Sequence, residues 1–277
     1  MKRILTIQDV SCVGKCSLTV ALPIVSAIGV ECAVIPTAVL STHTAFKGFT
    51  FRDLTCDVRP IYEHWLNEKI DFDGIYTGYL GSFEQIDLVS EIFEKFNKTK
   101  KFKLVDPAMG DNGKLYSGFD NAFAKKMKTI CDKADIIVPN LTEASFMLNL
   151  PYEEKGYDER YVQNVLNKLT EGGCNIAVLT GICLDGKNIG VYSFNKQTGE
   201  YFQYYRELLP QSFHGTGDVF ASTVCGALAK GFDYKDALKL AVDYTVESIK
   251  LTIDNPTHNW YGVDFERAFP MLIERIK

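Results

Sequence analysis

His214-Gly215-Thr216-Gly217-Asp218 runs directly into Val219-Phe220-Ala221-Ser222-Thr223-Val224-Cys225-Gly226-Ala227-Leu228-Ala229-Lys230-Gly231. The second stretch is apolar almost all round, which predicts a helix buried in the molecule and stopped at Gly231. Glycines at its mouth let bare backbone N–H groups converge on an anion, and the positive end of the helix dipole adds to them. Asp218 makes no sense as a ligand for that anion, because its carboxylate repels it. It makes chemical sense as the group that takes a proton from whatever attacks a phosphate held there. An ordinary turn before an acidic first helical turn has the same letters, so the remaining chain has to decide.

At 277 residues the chain is long for one domain, yet no Pro/Ser-rich tract, charge block or internal repeat divides it. The expectation is a single domain over 1–277, and 46% hydrophobic residues supply a large core. A net charge of −5 leaves no basic stripe for a nucleic-acid backbone. Only a few apolar residues precede Asp9, too few for a signal peptide, and no run reaches membrane-spanning length, so a cytoplasmic protein is expected. Eight scattered cysteines without a CxxC pair argue against zinc and disulfides; Cys32 and Cys225 lie in apolar surroundings and read as core.

Strands are predicted over 3–8, 31–36, 72–77, 102–105, 136–138 and 175–179, with a hairpin at 189–194 and 201–205. Helices are predicted over 16–29 (with Pro23 as a kink or break), 58–69, 82–96, 119–133, 141–149, 159–171, 234–251 and 263–276, besides the one after Asp218. Strands separated by helices call for a mostly parallel sheet covered on both faces, with its ligand site outside the carboxyl ends of the strands. Those ends carry Asp9, Thr37, Thr77-Gly78-Tyr79, Asp106-Pro107, Pro139-Asn140 and Thr180-Gly181. A small or acidic polar residue after every strand is more than helix capping needs.

Gly14-Lys15-Cys16-Ser17 resembles the tail of a Walker A loop, but Asp9 stands where the motif needs glycine and Cys16 where it needs Ser or Thr. No Gly-x-Gly-x-x-Gly follows the first strand, which counts against a nicotinamide enzyme. Asn140-Leu141-Thr142-Glu143 reads either as a capping box or, with Asp106, as the acidic pair that organises a Mg²⁺ bridging nucleotide phosphates. Asp111 is a further carboxylate in the same region, or an acidic surface turn. His43 and Thr44, in Ser41-Thr42-His43-Thr44, either face solvent or meet a polar substrate, and His214 shapes the turn before Gly215. Tyr79 sits among glycines that let its ring approach a flat ligand, with buried packing as the competing account.

Taken together, these stretches, in this order, resemble the ribokinase-like superfamily and, within it, the pyridoxal (pyridoxine, pyridoxamine) kinases. The likeness runs from Ile4 to about Leu251; Gly215-Thr216-Gly217-Asp218 is shared by the whole superfamily, while Ser41-Thr42-His43-Thr44 and Gly78-Tyr79-Leu80-Gly81 point to the vitamin B6 branch. It implies a three-layer α/β/α fold with a central, mostly parallel sheet and no lid strands. It implies ATP-dependent phosphorylation of the 5′-hydroxymethyl group of a B6 vitamer, with Asp218 as base and Gly215, Thr216 and Gly217 as the anion hole. Asp106 and Glu143 would organise Mg²⁺, Asn140, Asp111 and Thr180 would lie near the ATP phosphates, and Thr44, His43 and Tyr79 would line the ring pocket. A monovalent cation such as K⁺ stays open, a homodimer is implied, and the turn 111–113 and the loop 37–57 are candidates for closure. Asp9 replaces the serine common in that branch, where it would touch the substrate ring and accept from a protonated ring nitrogen or an amine. Hydroxymethylpyrimidine kinase is the alternative enzyme, a sugar kinase a more distant one, and a vitamer- or nucleotide-binding protein without turnover the non-enzymatic reading.

Overall fold

The computed structural model describes residues 1–96 and 102–277. The chain divides into two compact units, one of Met1–Gly78 with Leu209–Lys277 and one of Tyr79–Leu208.

The first unit starts with β1 (Arg3–Ser11), α1 (Leu18–Ala27), β2 (Glu31–Leu40), β3 (Phe51–Asp53), α2 (Thr55–Asn67) and β4 (Gly74–Thr77). β1 lies between β2 and β4 and is parallel to both, while the short β3 runs antiparallel along β2. Ile4, Leu5 and Ile7 of β1 and Ile75 and Tyr76 of β4 are buried, as interior strands covered on both faces require.

The second unit carries α3 (Phe83–Lys95), β5 (Phe102–Val105), the small hairpin β6 (Gly110–Asp111) and β7 (Lys114–Leu115), α4 (Asn121–Cys131), β8 (Ile136–Ile137), α5 (Leu141–Leu148), α6 (Glu159–Glu171), β9 (Ile176–Ile182), β10 (Asn188–Asn195) and β11 (Glu200–Glu207). β5, β8 and β9 pair in parallel, and β10 and β11 add antiparallel strands beyond β9. Both units are therefore α/β, with parallel strands in the interior and antiparallel ones at an edge.

The chain returns to the first unit with α7 (Thr216–Lys230), α8 (Tyr234–Ile253), a 3₁₀ turn (Phe265–Ala268) and α9 (Phe269–Arg275). α7 is the buried helix expected from its sequence: Val219, Phe220, Val224 and Cys225 are buried. Each large apolar side chain withdrawn from water stabilises the fold by about 1.5–3 kcal/mol. Gly226 lets α7 approach the end of α1, since a Cβ there would lie 2.5 Å from Ile28 Cδ1. Among the described residues no helix is long and apolar enough to cross a membrane.

Several expectations are corrected. Pro23 neither ends nor splits α1, and α2 begins at Thr55 rather than 58 because Asp53 accepts from the Thr55 N–H at 2.8 Å; Pro60 stays inside it. β1 and β2 run past Asp9 and Thr37, which therefore lie within strands, at an irregularity where the pairing steps from Gln8↔Pro36 to Val10↔Val39. Thr180 lies inside β9, held by β10 on one side and by a parallel bridge to Asn140 on the other. The helix expected over 263–276 is broken. The Asp264 amide donates to Thr252 Oγ1 at 2.7 Å, and Pro270, which lacks an N–H, stands at the start of α9.

Candidate active site

Gly215 is the N-cap of α7 in a left-handed conformation (φ 79°, ψ 0°), and a Cβ there would sit 2.1 Å from the Lys15 carbonyl oxygen. No side chain caps the helix, whose first internal bond runs from the Val219 N–H to the Gly215 oxygen at 3.0 Å. The Thr216 hydroxyl donates back to the Phe213 carbonyl at 3.3 Å. Apart from the helix's own first turn and the flanking residues, no atom lies within 4 Å of where a Gly217 Cβ would stand, so nothing packs against that side of the mouth. An uncapped N-terminus with space in front of it is the geometry an anion needs. Thr216, Gly217 and Asp218 are the helix's own first turn rather than a turn ahead of it, and Asp218 is half-buried there.

The turn between β1 and α1 belongs to the same neighbourhood. Asp9 is buried; it accepts from Ser11 Oγ at 2.9 Å and from the Ser17 hydroxyl, and among the described residues no cation pairs with it. Burial pushes its carboxyl above the usual range, and the two serine hydroxyls pull partly back. Burial also pushes the Cys16 thiol up, and the negative charges of Asp218 and Asp9 push it further, so this thiol stays protonated and unreactive. Lys15 (φ 48°) and Ser17 (φ 50°, ψ −131°) both hold left-handed backbone that non-glycine residues rarely adopt. Such conformations cost on the order of 1–3 kcal/mol each and persist only where the surroundings enforce them.

His43 is buried, with Nδ1 accepting from the Ala45 N–H at 3.1 Å and Nε2 facing the Tyr261 oxygen at 3.2 Å. The neutral ring protonated on Nε2 satisfies both, and burial holds its pKa below the usual histidine value. His43 thus braces its loop with both nitrogens, while Thr44 beside it is exposed. His214 is exposed, its ring centroid 5.6 Å from that of His43. Much of the loop expected over 37–57 is therefore held by β2, β3 and α2, leaving a connection over 41–50.

In the second unit Glu143 forms the capping box with Asn140: its Oε2 accepts from the Asn140 N–H and its own N–H donates to Asn140 Oδ1, both at 2.9 Å. Glu143 Oε1 accepts from the Met109 N–H at 3.0 Å, and Asn140 Nδ2 donates to the Gly110 carbonyl at 2.9 Å. The helix cap therefore also fixes the segment after β5. Asp106 lies in that segment, buried, accepting from the Ala108 N–H at 3.2 Å. Burial and the charge of Glu143 push the Asp106 carboxyl upward, and burial does the same to Glu143 against its backbone donors. Thr180 takes its place beside Asn140 through a 3.0 Å bond from its N–H to the Pro139 oxygen.

Asp111 is exposed and bonded to Asn112; the turn 111–113 is a tight hairpin with positive φ at Asn112 and Gly113, pinned by the Gly113 N–H to Thr142 Oγ1 at 2.9 Å. Tyr79 is half-buried against Phe119, ring centroids 5.5 Å apart, and Phe119 stacks on Phe123 at 3.9 Å. Among the described residues no three His, Cys, Asp or Glu side chains gather as a closed metal cage. A buried carboxylate pair with raised pKa values nevertheless fits Mg²⁺, which keeps most of its waters and takes one or two protein carboxylates.

A parallel α/β core with an acid in the first turn of an open, glycine-rich helix mouth places the chain in the ribokinase-like class of small-molecule kinases. The sequence pattern of the phosphomethylpyrimidine kinase family matches residues 24–261, and the chain belongs to that family, the branch that includes the pyridoxal kinases. A Bacteroides thetaiotaomicron protein provisionally assigned as a phosphomethylpyrimidine kinase, solved in an orthorhombic form with pyridoxal, is 36% identical, with a TM-score of 0.92 over 98% of this chain and 95% of that one. The pyridoxal kinase of Lactobacillus plantarum is 28% identical, with a TM-score of 0.89 over 99% of this chain and 98% of its own. The pyridoxal kinase of Arabidopsis thaliana is 27% identical over 91% of this chain and 83% of its own.

Proposed function

We propose that this chain phosphorylates the 5′-hydroxymethyl group of a vitamin B6 vitamer with ATP, acting over 1–277 as one kinase domain. The observation that carries the reading is the mouth of α7, where open backbone amides and the half-buried Asp218 share one helical turn. Asp218 accepts the proton of the attacking hydroxyl, and the amides of Gly215, Thr216 and Gly217 face the charge on the transferring phosphoryl group. Base removal of this kind is worth roughly 10²–10⁴-fold, and most of the remaining rate comes from positioning and charge neutralisation.

Asp106 and Glu143 would organise Mg²⁺, which supplies neutralisation of the nucleotide phosphates. Asn140 and Thr180, joined by their bridge, and Asp111 on its pinned hairpin serve the nucleotide side. Thr44, Tyr79 and Asp9 serve the vitamer ring, with His43 holding the loop that presents Thr44. A cytoplasmic homodimer, with or without K⁺, completes the proposal. The family pattern itself keeps hydroxymethylpyrimidine as the second substrate reading.

Initial rates with ATP and Mg²⁺ across pyridoxal, pyridoxamine, pyridoxine, hydroxymethylpyrimidine and ribose test both. The expected result is turnover of a B6 vitamer well above the rest, lost in Asp218→Asn while nucleotide binding persists. Preference for the pyrimidine alcohol would keep the reaction and replace the substrate. Equal loss of binding and turnover in Asp218→Asn would make that residue structural.

A further inference from the structure

Gly14-Lys15 looks in the sequence like a phosphate-binding lysine after glycine, and the structure gives that lysine another task. Lys15 Nζ lies 2.9 Å from Asp264 Oδ1 and 3.0 Å from Glu266 Oε2, and its side chain is 18% exposed. Asp264 is held in turn: its Oδ2 accepts from Asn255 Nδ2 at 2.7 Å and its amide donates to Thr252 Oγ1 at 2.7 Å. Gly262 presses on the same side chain, since a Cβ there would lie 2.5 Å from Lys15 Cβ. On its other side the turn is clamped by His43, whose N–H donates to the Val13 oxygen at 3.1 Å and whose ring would meet a Gly14 Cβ at 2.6 Å.

What this turn touches is the catalytic helix mouth. The Lys15 carbonyl stands where a Gly215 side chain would be, the next residue, Cys16, feels the charges of Asp218 and Asp9, and Lys15 and Ser17 hold strained backbone. We infer that Lys15 is a positioning residue: by tying the 14–17 turn to Asp264 and Glu266 it sets the Gly215 mouth of α7 and the place of Asp218, without itself binding phosphate. The inference rests on the kinase reading above.

The test is kinetic, on the full-length enzyme. Lys15→Met should lower kcat by about 10²-fold, the size expected when a catalytic group is misplaced by about 1 Å, with the KM values for ATP and vitamer nearly unchanged. Lys15→Arg should restore most of the rate. Asp264→Asn should lower kcat in the same way, and the double variant Lys15→Met with Asp264→Asn should be no worse than the poorer single, because both break one link. A phosphate-binding Lys15 predicts the opposite pattern: KM for ATP rises in Lys15→Met and falls in Asp264→Asn, which frees the ammonium. That pattern, or an unchanged kcat in the folded variants, overturns the inference. If Lys15→Met does not fold, Glu266→Gln, at the more exposed partner, replaces it, and kcat must fall at constant KM. Absence of turnover of every alcohol tested with the unmodified enzyme would instead overturn the kinase reading, so the two failures are distinguishable.

Discussion

Glu143 and Asn140 close on each other through two 2.9 Å bonds, and Glu143 spends its second oxygen on the Met109 amide in the segment that carries Asp106. One carboxylate is thus both a helix cap and the fastening of its acidic neighbour. The two readings that the sequence left open for Asn140-Leu141-Thr142-Glu143 are compatible: the capping box is formed, and it fixes the backbone that a cation-organising pair would need.

Asp106→Asn should separate stability from activity. A carboxyl whose folded pKa is raised above its ordinary 3.8 contributes stability that is complete below that value and is lost as pH rises through the folded one. In the absence of Mg²⁺ the stability contributed by Asp106 should therefore fall from about pH 4 upward toward neutrality. The asparagine variant should flatten that slope, raise the Tm at pH 7 and lower turnover. Thermal melts across pH, with and without Mg²⁺, check it; a steeper slope in the variant would contradict the assignment.

Gly215→Ala and Gly217→Ala should fail in different ways. At Gly215 a methyl group meets the Lys15 oxygen at 2.1 Å on left-handed backbone, so the variant should lose stability and activity together. At Gly217 the space is empty, and alanine is the better helix former by up to about 1 kcal/mol. That variant should fold at least as well as the parent yet lose turnover, the outcome expected where the transferring phosphoryl group occupies the open space beside Gly217. Paired melting curves and initial rates decide it, and a fully active Gly217→Ala would mean that no phosphoryl group docks there.

Asp9→Ser should change which vitamer is preferred. A buried carboxylate that accepts from two hydroxyls and a backbone amide, with no cation paired to it among the described residues, is a receptor for a cationic nitrogen, and a hydrogen bond to a charged group is worth about 1.5–3 kcal/mol, or roughly 10–150-fold. The kcat/KM for pyridoxamine relative to pyridoxine should fall within that range. An unchanged ratio would show that the substrate does not read the charge at Asp9.

His43 should make the protein acid-sensitive. Its pKa is held below the ordinary 6.5, first by burial, so its contribution to stability is present above 6.5 and is lost as pH falls through the folded value. The charge facing it is that of His214, which acts in the same direction; the Tyr261 carbonyl opposes both. This contribution should shrink below pH 6.5, so that on acidification the Tm of the parent drops by more than that of His43→Gln. A drop of equal size in the variant would place its origin elsewhere.

The sequence by itself determined the alternation of strands and helices, the buried α7 and the residue types at its mouth. These follow from local rules: apolar periodicity selects an element, and glycine is needed where the backbone must turn left-handed or approach closely. The start of α7 at Gly215 and the Asn140–Glu143 cap were legible for that reason. Tertiary structure alone decided where β1, β2 and β9 end: pairing resumes at Val10↔Val39 beyond the irregularity that holds Asp9 and Thr37, and Thr180 pairs with Val191. It also broke the 263–276 helix and turned Lys15 away from its motif. Lys15 lies 249 and 251 residues from Asp264 and Glu266 along the chain, and a charge pair over that separation leaves no periodicity or spacing to read. Only folding brings the two segments together, and with them the support of the helix mouth.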